Sequence, residues 1–159
     1  MMKPTVALIL SVIATDVAVA QSFAFDTLQG RWSGKGTFRG APADVTAAVE
    51  PVFGGRFWTL TIRTAVAGPQ PFTFEGRATY PVKQGTPSQG YWIDSNGTSY
   101  AISPSVDGGM LAALWGNERY KGRSTYKLDE SGRLRIDDFV QNKSGEWQQF
   151  ATTTLDRQK

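Results

Sequence analysis

The chain has 159 residues, with 17 lysines and arginines against 14 aspartates and glutamates, and it contains neither histidine nor cysteine. Those two absences exclude disulfides, histidine bases, cysteine nucleophiles and every metal site built from imidazole or thiolate. A net charge of +3, spread along the chain, falls short of the clustered basic face of a nucleic-acid binder, so no nucleic-acid partner is expected.

Residues 1–20 have the pattern of a secretory signal peptide. Lys3 precedes an apolar run from Val6 through Ile13, Val17-Ala18-Val19-Ala20 offers a small-x-small site, and polar Gln21 and Ser22 follow it. The run is shorter than the ~20 apolar residues that cross a bilayer, which predicts cleavage after Ala20 and no integral membrane segment afterwards. Cleavage would remove Lys3 and Asp16 and leave the net charge at +3. Residues 21–159 are then expected to form a single secreted, periplasmic domain, held by a hydrophobic core in place of disulfides. Its oligomeric state is open in the sequence.

From Arg31 onward, short segments of alternating apolar and polar residues are separated by turn residues, at the even spacing that suggests a barrel or sandwich. Strands are predicted near Arg31–Arg39, Val45–Phe53, Arg56–Thr64, Phe72–Tyr80 and Gln89–Ser95, then Thr98–Ser103, Met110–Trp115, Tyr120–Leu128, Gly132–Val140 and Glu146–Leu155. Connections this short leave no room for crossover helices, which predicts an antiparallel meander. The fold class is therefore all-β, an antiparallel meander barrel of about ten strands.

Turn chemistry sets the expected registers. With Gly54-Gly55 as a two-residue turn, Pro51 faces Trp58, Val49 faces Leu60 and Ala47 faces Ile62. With Asn96-Gly97 as a type I′ turn, Ile93 lies beside Tyr100 and Tyr91 beside Ile102, while Trp92 and Asp94 point to the opposite face; a reversed parity would put Trp92 and Asp94 in the lumen instead. Around Asp129-Glu130-Ser131-Gly132, pairing Lys127 with Arg133 sets Tyr126 by Leu134, Ser124 by Ile136, and Arg123 across from Asp137 as a surface ion pair. Pro81–Gln89 is the longest irregular stretch and is expected to be a solvated loop.

The triplet Gly30-Arg31-Trp32 at the start of the first strand resembles the opening of calycin-type barrels, the lipocalins and their relatives. In those proteins an arginine near the last strand packs on that tryptophan and closes the barrel base, a cation–π arrangement; the resemblance implies this role for Trp32 and Arg157. Arg31-Trp32-Ser33-Gly34-Lys35-Gly36, Gly54-Gly55-Arg56-Phe57 and Trp92-Ile93-Asp94-Ser95-Asn96-Gly97-Thr98 together resemble a family of bacterial secreted calycin-like proteins of unknown function. The resemblance covers nearly all of residues 21–159. It implies a barrel related in topology to the haem-binding nitrobindin-like barrels, and no established activity. Those haem binders hold iron with a histidine, which is missing here, so histidine-ligated haem is excluded; haem held by tyrosine or methionine is the rarer arrangement that stays open, and no cofactor is expected.

A barrel of about ten strands has room for a lumen that side chains need not fill. Turning the more apolar face inward lines it with Trp32, Phe38, Trp58, Leu60, Ile62, Phe74, Tyr80, Tyr91, Tyr100, Tyr126, Leu134, Ile136 and Trp147, plus the polar Arg56, Asp138 and Gln149. An aromatic wall with few polar groups suits a small-molecule pocket, because apolar area supplies affinity and polar groups fix orientation. The candidate ligand-binding residues are Arg56, Trp58, Tyr91, Tyr100, Tyr126, Asp138 and Gln149.

The expected function is non-covalent binding of a small, mainly apolar or aromatic molecule. The alternative is a cell-envelope interaction or structural module that docks a partner through an exposed Trp92 or Trp115. A third reading is a cofactor-free enzyme using a buried Tyr-Asp or Tyr-Arg pair, whose mark would be a strongly shifted Asp138. No catalytic residue is assigned. Asp137 and Asp138, adjacent in a strand, point to opposite faces, no serine has a histidine base, and neither a phosphate loop nor EF-hand spacing occurs, so no metal is expected.

Overall fold

Alternation at period two decides which face of each segment leaves water. In the stretch from Ala41 to Val52, Ala43, Val45, Ala47 and Val49 are buried, while Asp44, Thr46 and Glu50 are exposed. The computed structural model describes residues 25–83 and 86–159; the expected signal peptide and its cleavage site lie outside them. A short helix α1 (Phe25–Leu28) precedes β1 (Gly30–Phe38), β2 (Ala41–Val52), β3 (Phe57–Val66), β4 (Phe72–Lys83), β5 (Thr86–Pro87), β6 (Gly90–Asp94), β7 (Ser99–Asp107), β8 (Met110–Gly116), β9 (Lys121–Leu128), β10 (Leu134–Gln141) and β11 (Trp147–Arg157).

Each strand pairs antiparallel with the next, except that β5 only folds back on the end of β4, which pairs instead with β6. β11 returns to β1 from Trp32↔Arg157 to Phe38↔Ala151 and closes a ten-stranded barrel. The ten expected strands are all present. The stretch Pro81–Gln89 is more regular than expected: β4 runs on to Lys83, and Val82 pairs with Pro87. Among the described residues no helix is long and apolar enough to cross a membrane.

In a meander, successive connections alternate between the two barrel ends. At one end α1 plugs the base. Phe25 stacks on Trp58 and approaches Tyr80, with ring centroids 5.5 Å apart in each case. The Trp32 Nε1–H donates to Leu28 O at 2.9 Å. The Arg157 guanidinium lies 4.2 Å from the Trp32 ring centroid and donates to Thr27 O at 2.7 Å and to Gln29 O. Two orphan carbonyls of the helix end and the face of an indole are thus satisfied by one cation. Above this plug sit the wholly buried Val49, Leu60, Ile102, Leu111, Leu134 and Leu155.

Three hairpin loops share one construction. In Asp94–Thr98, Asp129–Arg133 and Asn142–Glu146 the first residue's side-chain Oδ1 accepts from the backbone N–H two and four positions on. Its backbone O takes the N–H of a glycine three positions on. That glycine, Gly97, Gly132 or Gly145, has φ of 77°, 75° or 87°, the left-handed residue of a three-residue hairpin. The register consequences differ. Around Gly54-Gly55 the expected pairs Pro51↔Trp58, Val49↔Leu60 and Ala47↔Ile62 are formed. The β9–β10 pairing slips by two residues, to Tyr126↔Ile136 and Ser124↔Asp138, and a slip of two keeps every side chain on its face. The predicted Arg123–Asp137 ion pair is lost with it. Asp137 takes Arg135 instead, at 2.7 Å, and Arg123 lies over the Phe139 and Trp147 rings at 4.8 and 4.9 Å. The β6–β7 pairing slips by one, to Trp92↔Tyr100, which turns every β6 side chain to the other face.

Candidate functional site

Opposite the α1 plug, the barrel holds a cavity of about 300 Å³, at the lower end of the range for small-molecule sites. Arg39, Phe72, Asn96 and Tyr120 line its mouth, where the β1–β2, β3–β4, β6–β7 and β8–β9 connections lie. Its wall is aromatic: Phe38, Phe74, Trp92, Tyr100, Trp115 and Phe150 all border it. Phe74 stacks on Trp92 at 6.2 Å, and Trp115 contacts Tyr100, Tyr120 and Phe150 at 6.2, 5.8 and 6.5 Å.

Two glycines keep that wall thin. A Cβ on Gly76 would lie 2.0 Å from the Trp92 ring, and one on Gly122 would lie 2.2 Å from the Trp115 ring. Each indole therefore lies flat across a neighbouring strand and leaves the middle of the barrel open. Each is also tethered, Trp92 Nε1–H to Asp94 Oδ2 at 3.1 Å and Trp115 Nε1–H to Ser124 Oγ at 3.0 Å.

The polar groups gather deeper. Ser124 Oγ donates to Asp138 Oδ1 at 2.5 Å, and this is the carboxyl's only hydrogen bond among the described residues. Burial pushes the Asp138 carboxyl up to about 6, with Ser124 pulling the other way and neighbouring Asp137 adding a like charge. Tyr126 is raised well above its ordinary value by burial first, then by the charges of Tyr80 and Asp138. Burial also raises Tyr80, whose hydroxyl has no hydrogen-bond partner among the described residues. Both phenols stay protonated at any ordinary pH, which leaves Asp138 as the deep group that changes charge near neutrality. The raised Asp138 carboxyl with Tyr126 and Tyr80 near it is also the mark expected of the cofactor-free enzyme reading.

The shift carries a stability consequence. A carboxyl moved from 3.8 to about 6 on folding binds its proton more tightly folded than unfolded. Its contribution is neutral below about pH 4, turns destabilising between about pH 4 and pH 6, and stays so above, costing on the order of 3 kcal/mol at neutral pH. Asp138→Asn is therefore expected to be more stable than the wild type at pH 7 and equal to it near pH 4. Urea unfolding at both pH values checks this, and equal midpoints at pH 7 would refute it.

Of the residues singled out from sequence, Tyr100, Tyr126 and Asp138 line the cavity. Trp58 faces inward but lies lower, buried against Phe25. Three point elsewhere. Tyr91 is exposed on the outside, together with Ile93, because Asp94 builds a three-residue loop where a two-residue turn was expected. Gln149 is on the outer face, donating to Asp137 Oδ1 at 2.8 Å, because a β-bulge opposite Asp138/Phe139 turns both Phe150 and Ala151 inward and reverses the parity before them. Trp147 goes outward with it, beneath Arg123. Arg56 is exposed in the Phe53–Arg56 loop at the plugged end. Trp92 and Trp115, the tryptophans of the docking reading, both line the lumen. Sequence reasoning missed those two as lumen residues, along with Asp94, Ser124 and Phe150. The signal for the first error was Asp94-x-x-Gly97-x ahead of Ser99, a pattern that recurs at Asp129 and, with asparagine in first place, at Asn142. The described residues hold no cluster of three or more metal-ligating side chains.

No protein-family model and no curated protein matches the chain. Among solved structures it is similar to an S-type phycobiliprotein lyase from Guillardia theta, with a TM-score of 0.53 and 7% identity over 85% of this chain and 90% of that one. The barrel is lipocalin-like in fold. At that identity the likeness concerns the fold alone.

Proposed function

We propose that this barrel binds a small, mainly apolar or aromatic molecule non-covalently in its lumen. The observation that carries the reading is the cavity of about 300 Å³, open at one end, walled by indole and phenyl rings and backed by a few polar groups. The likeness in fold to a phycobiliprotein lyase supports it further. The pattern of residues 1–20 supports a secreted, periplasmic setting, in which the ligand is taken from outside the cytoplasm. A ligand that binds only the folded barrel raises its melting temperature by mass action. A panel of neutral one- and two-ring aromatics is expected to include compounds that raise the melting temperature and quench tryptophan fluorescence together. No shift and no quenching across the panel would refute the reading.

A further inference from the structure

The two aspartates of the lumen receive very different treatment from their neighbour outside. Asp137, on the outer face, accepts from Arg135 at 2.7 and 3.2 Å, from Gln149 at 2.8 Å and from Thr152 at 2.6 Å. Asp138, one residue on and facing inward, has the single Ser124 hydroxyl and no lysine or arginine against it among the described residues. Asp94, on the opposite side of the lumen, is tied to Trp92 and to two loop amides, again without a cation. Among the described residues the only basic one bordering the cavity is Arg39, exposed at the mouth, its guanidinium over Phe38. In a chain with a net charge of +3, the described cavity lining thus holds two carboxyls and, apart from Arg39 at the mouth, no ammonium or guanidinium. Deep in the same cavity, Tyr80 is 1% exposed and its hydroxyl is unpartnered among the described residues. A buried polar group left unpaired costs stability, and so does a buried carboxylate without a counter-charge.

Both deficits are met by the same kind of guest. Building on the lumen-binding reading above, we infer that the cavity selects small organic cations, namely a primary or secondary ammonium carried on an aromatic body. The ammonium N–H groups are donated to Asp138 and to the Tyr80 hydroxyl oxygen, and the body rests against the Trp92 and Trp115 faces. Indole faces attract cations, so the wall reinforces the selection. An anionic guest meets Asp94 and Asp138 with like charge and is rejected. The titratable groups around the bound nitrogen are Asp138 on β10, with Asp137 behind it, Tyr126 on β9, Tyr80 on β4, Asp94 on β6, and Tyr100 on β7; Tyr120 and Arg39 stand at the mouth. Of the deep groups, Asp138 is the one that titrates near neutrality.

Calorimetric titration of the full chain with three near-isosteric indoles tests this: tryptamine, the alcohol tryptophol and the carboxylate indole-3-propionate. At about pH 8 tryptamine is expected to bind roughly tenfold or more tightly than tryptophol, as a charge-assisted hydrogen bond allows, and indole-3-propionate weakest. Lowering the pH to about 5 protonates Asp138 and removes the preference without altering tryptophol binding. Asp138→Asn at about pH 8 does the same, Tyr80→Phe weakens tryptamine several-fold, and Tyr91→Ala on the outer face changes neither. The pH series on the wild type decides the matter even where a variant folds poorly. Tryptophol binding as tightly as tryptamine at about pH 8, or a preference that survives at about pH 5, overturns the cation proposal and leaves lumen binding standing. No binding by any of the three, with no response to the neutral aromatic panel, overturns both.

Discussion

Gly122→Ala is expected to close the lumen. The added methyl would lie 2.2 Å from two carbons of the Trp115 ring and 2.3 Å from a third, far inside van der Waals contact, and the strand backbone beneath it is held by the β8 and β10 ladders. The indole must lift. Above it is only the cavity, so the ring swings into the space a ligand would use and its Nε1–H leaves Ser124 Oγ. Overpacking of this kind costs about 1–3 kcal/mol, and the lost hydrogen bond about 1 kcal/mol more, so the barrel still folds while its binding falls on the order of a hundredfold. Tryptophan emission and probe titration read both effects. The double variant Gly122→Ala with Trp115→Ala removes the obstructing ring and is expected to restore binding above that of the single variant. Unchanged affinity in Gly122→Ala would show that the indole does not bound the ligand space. Gly76→Ala is expected to repeat the result from the other side, where a Cβ would lie 2.0 Å from Trp92.

Trp32→Ala is expected to bring the largest loss of stability. The side chain is 1% exposed, and truncating a buried tryptophan costs about 3–5 kcal/mol. More goes with it: Leu28 O loses its N–H donor and Arg157 loses the face it rests on. Against a total stability of about 5–15 kcal/mol, that change takes a large part of what holds the barrel folded. Trp32→Phe keeps most of the volume and forfeits the N–H, at a cost of about 1–2 kcal/mol. Urea midpoints for wild type, Trp32→Phe and Trp32→Ala should fall in that order, and an alanine variant within about 1 kcal/mol of wild type would mean that the α1 plug contributes little.

The alternation of apolar residues was enough to place ten strands and to send Tyr100, Tyr126 and Asp138 inward, because along those strands one face is plainly more apolar. Along β6 it is not. Tyr91 and Ile93 alternate with Trp92 and Asp94, both faces carry large side chains, and periodicity cannot choose between them. The choice is made outside the strand, by the Asp94 carboxylate capping two amides and lengthening the loop by one residue. On β11 the alternation is real but interrupted: Phe150 is an extra residue, and everything before it, Gln149 and Trp147 included, is on the reverse face. Trp58 shows a different limit. Its face was legible, its height in the barrel was not, because a period of two is silent about which inward residues meet the α1 plug and which meet open space. The flat indoles were hidden for a related reason, since the glycine that accommodates each one lies on another strand, 16 residues away for Trp92 and 7 for Trp115.

The seam between β1 and β11 dictates the order in which this barrel can come into being. Seven residue pairs join the first strand to the last, and Arg157 reaches back 130 residues to Thr27 O. Contacts so distant along the chain are slow to form, since the entropy of closing the loop must be met before they reward it. Until the final strand has been made, β1 has an unpaired edge, the α1 plug lacks its arginine, and no closed lumen exists. Closure of the barrel therefore waits on β11, however early the other strands pair.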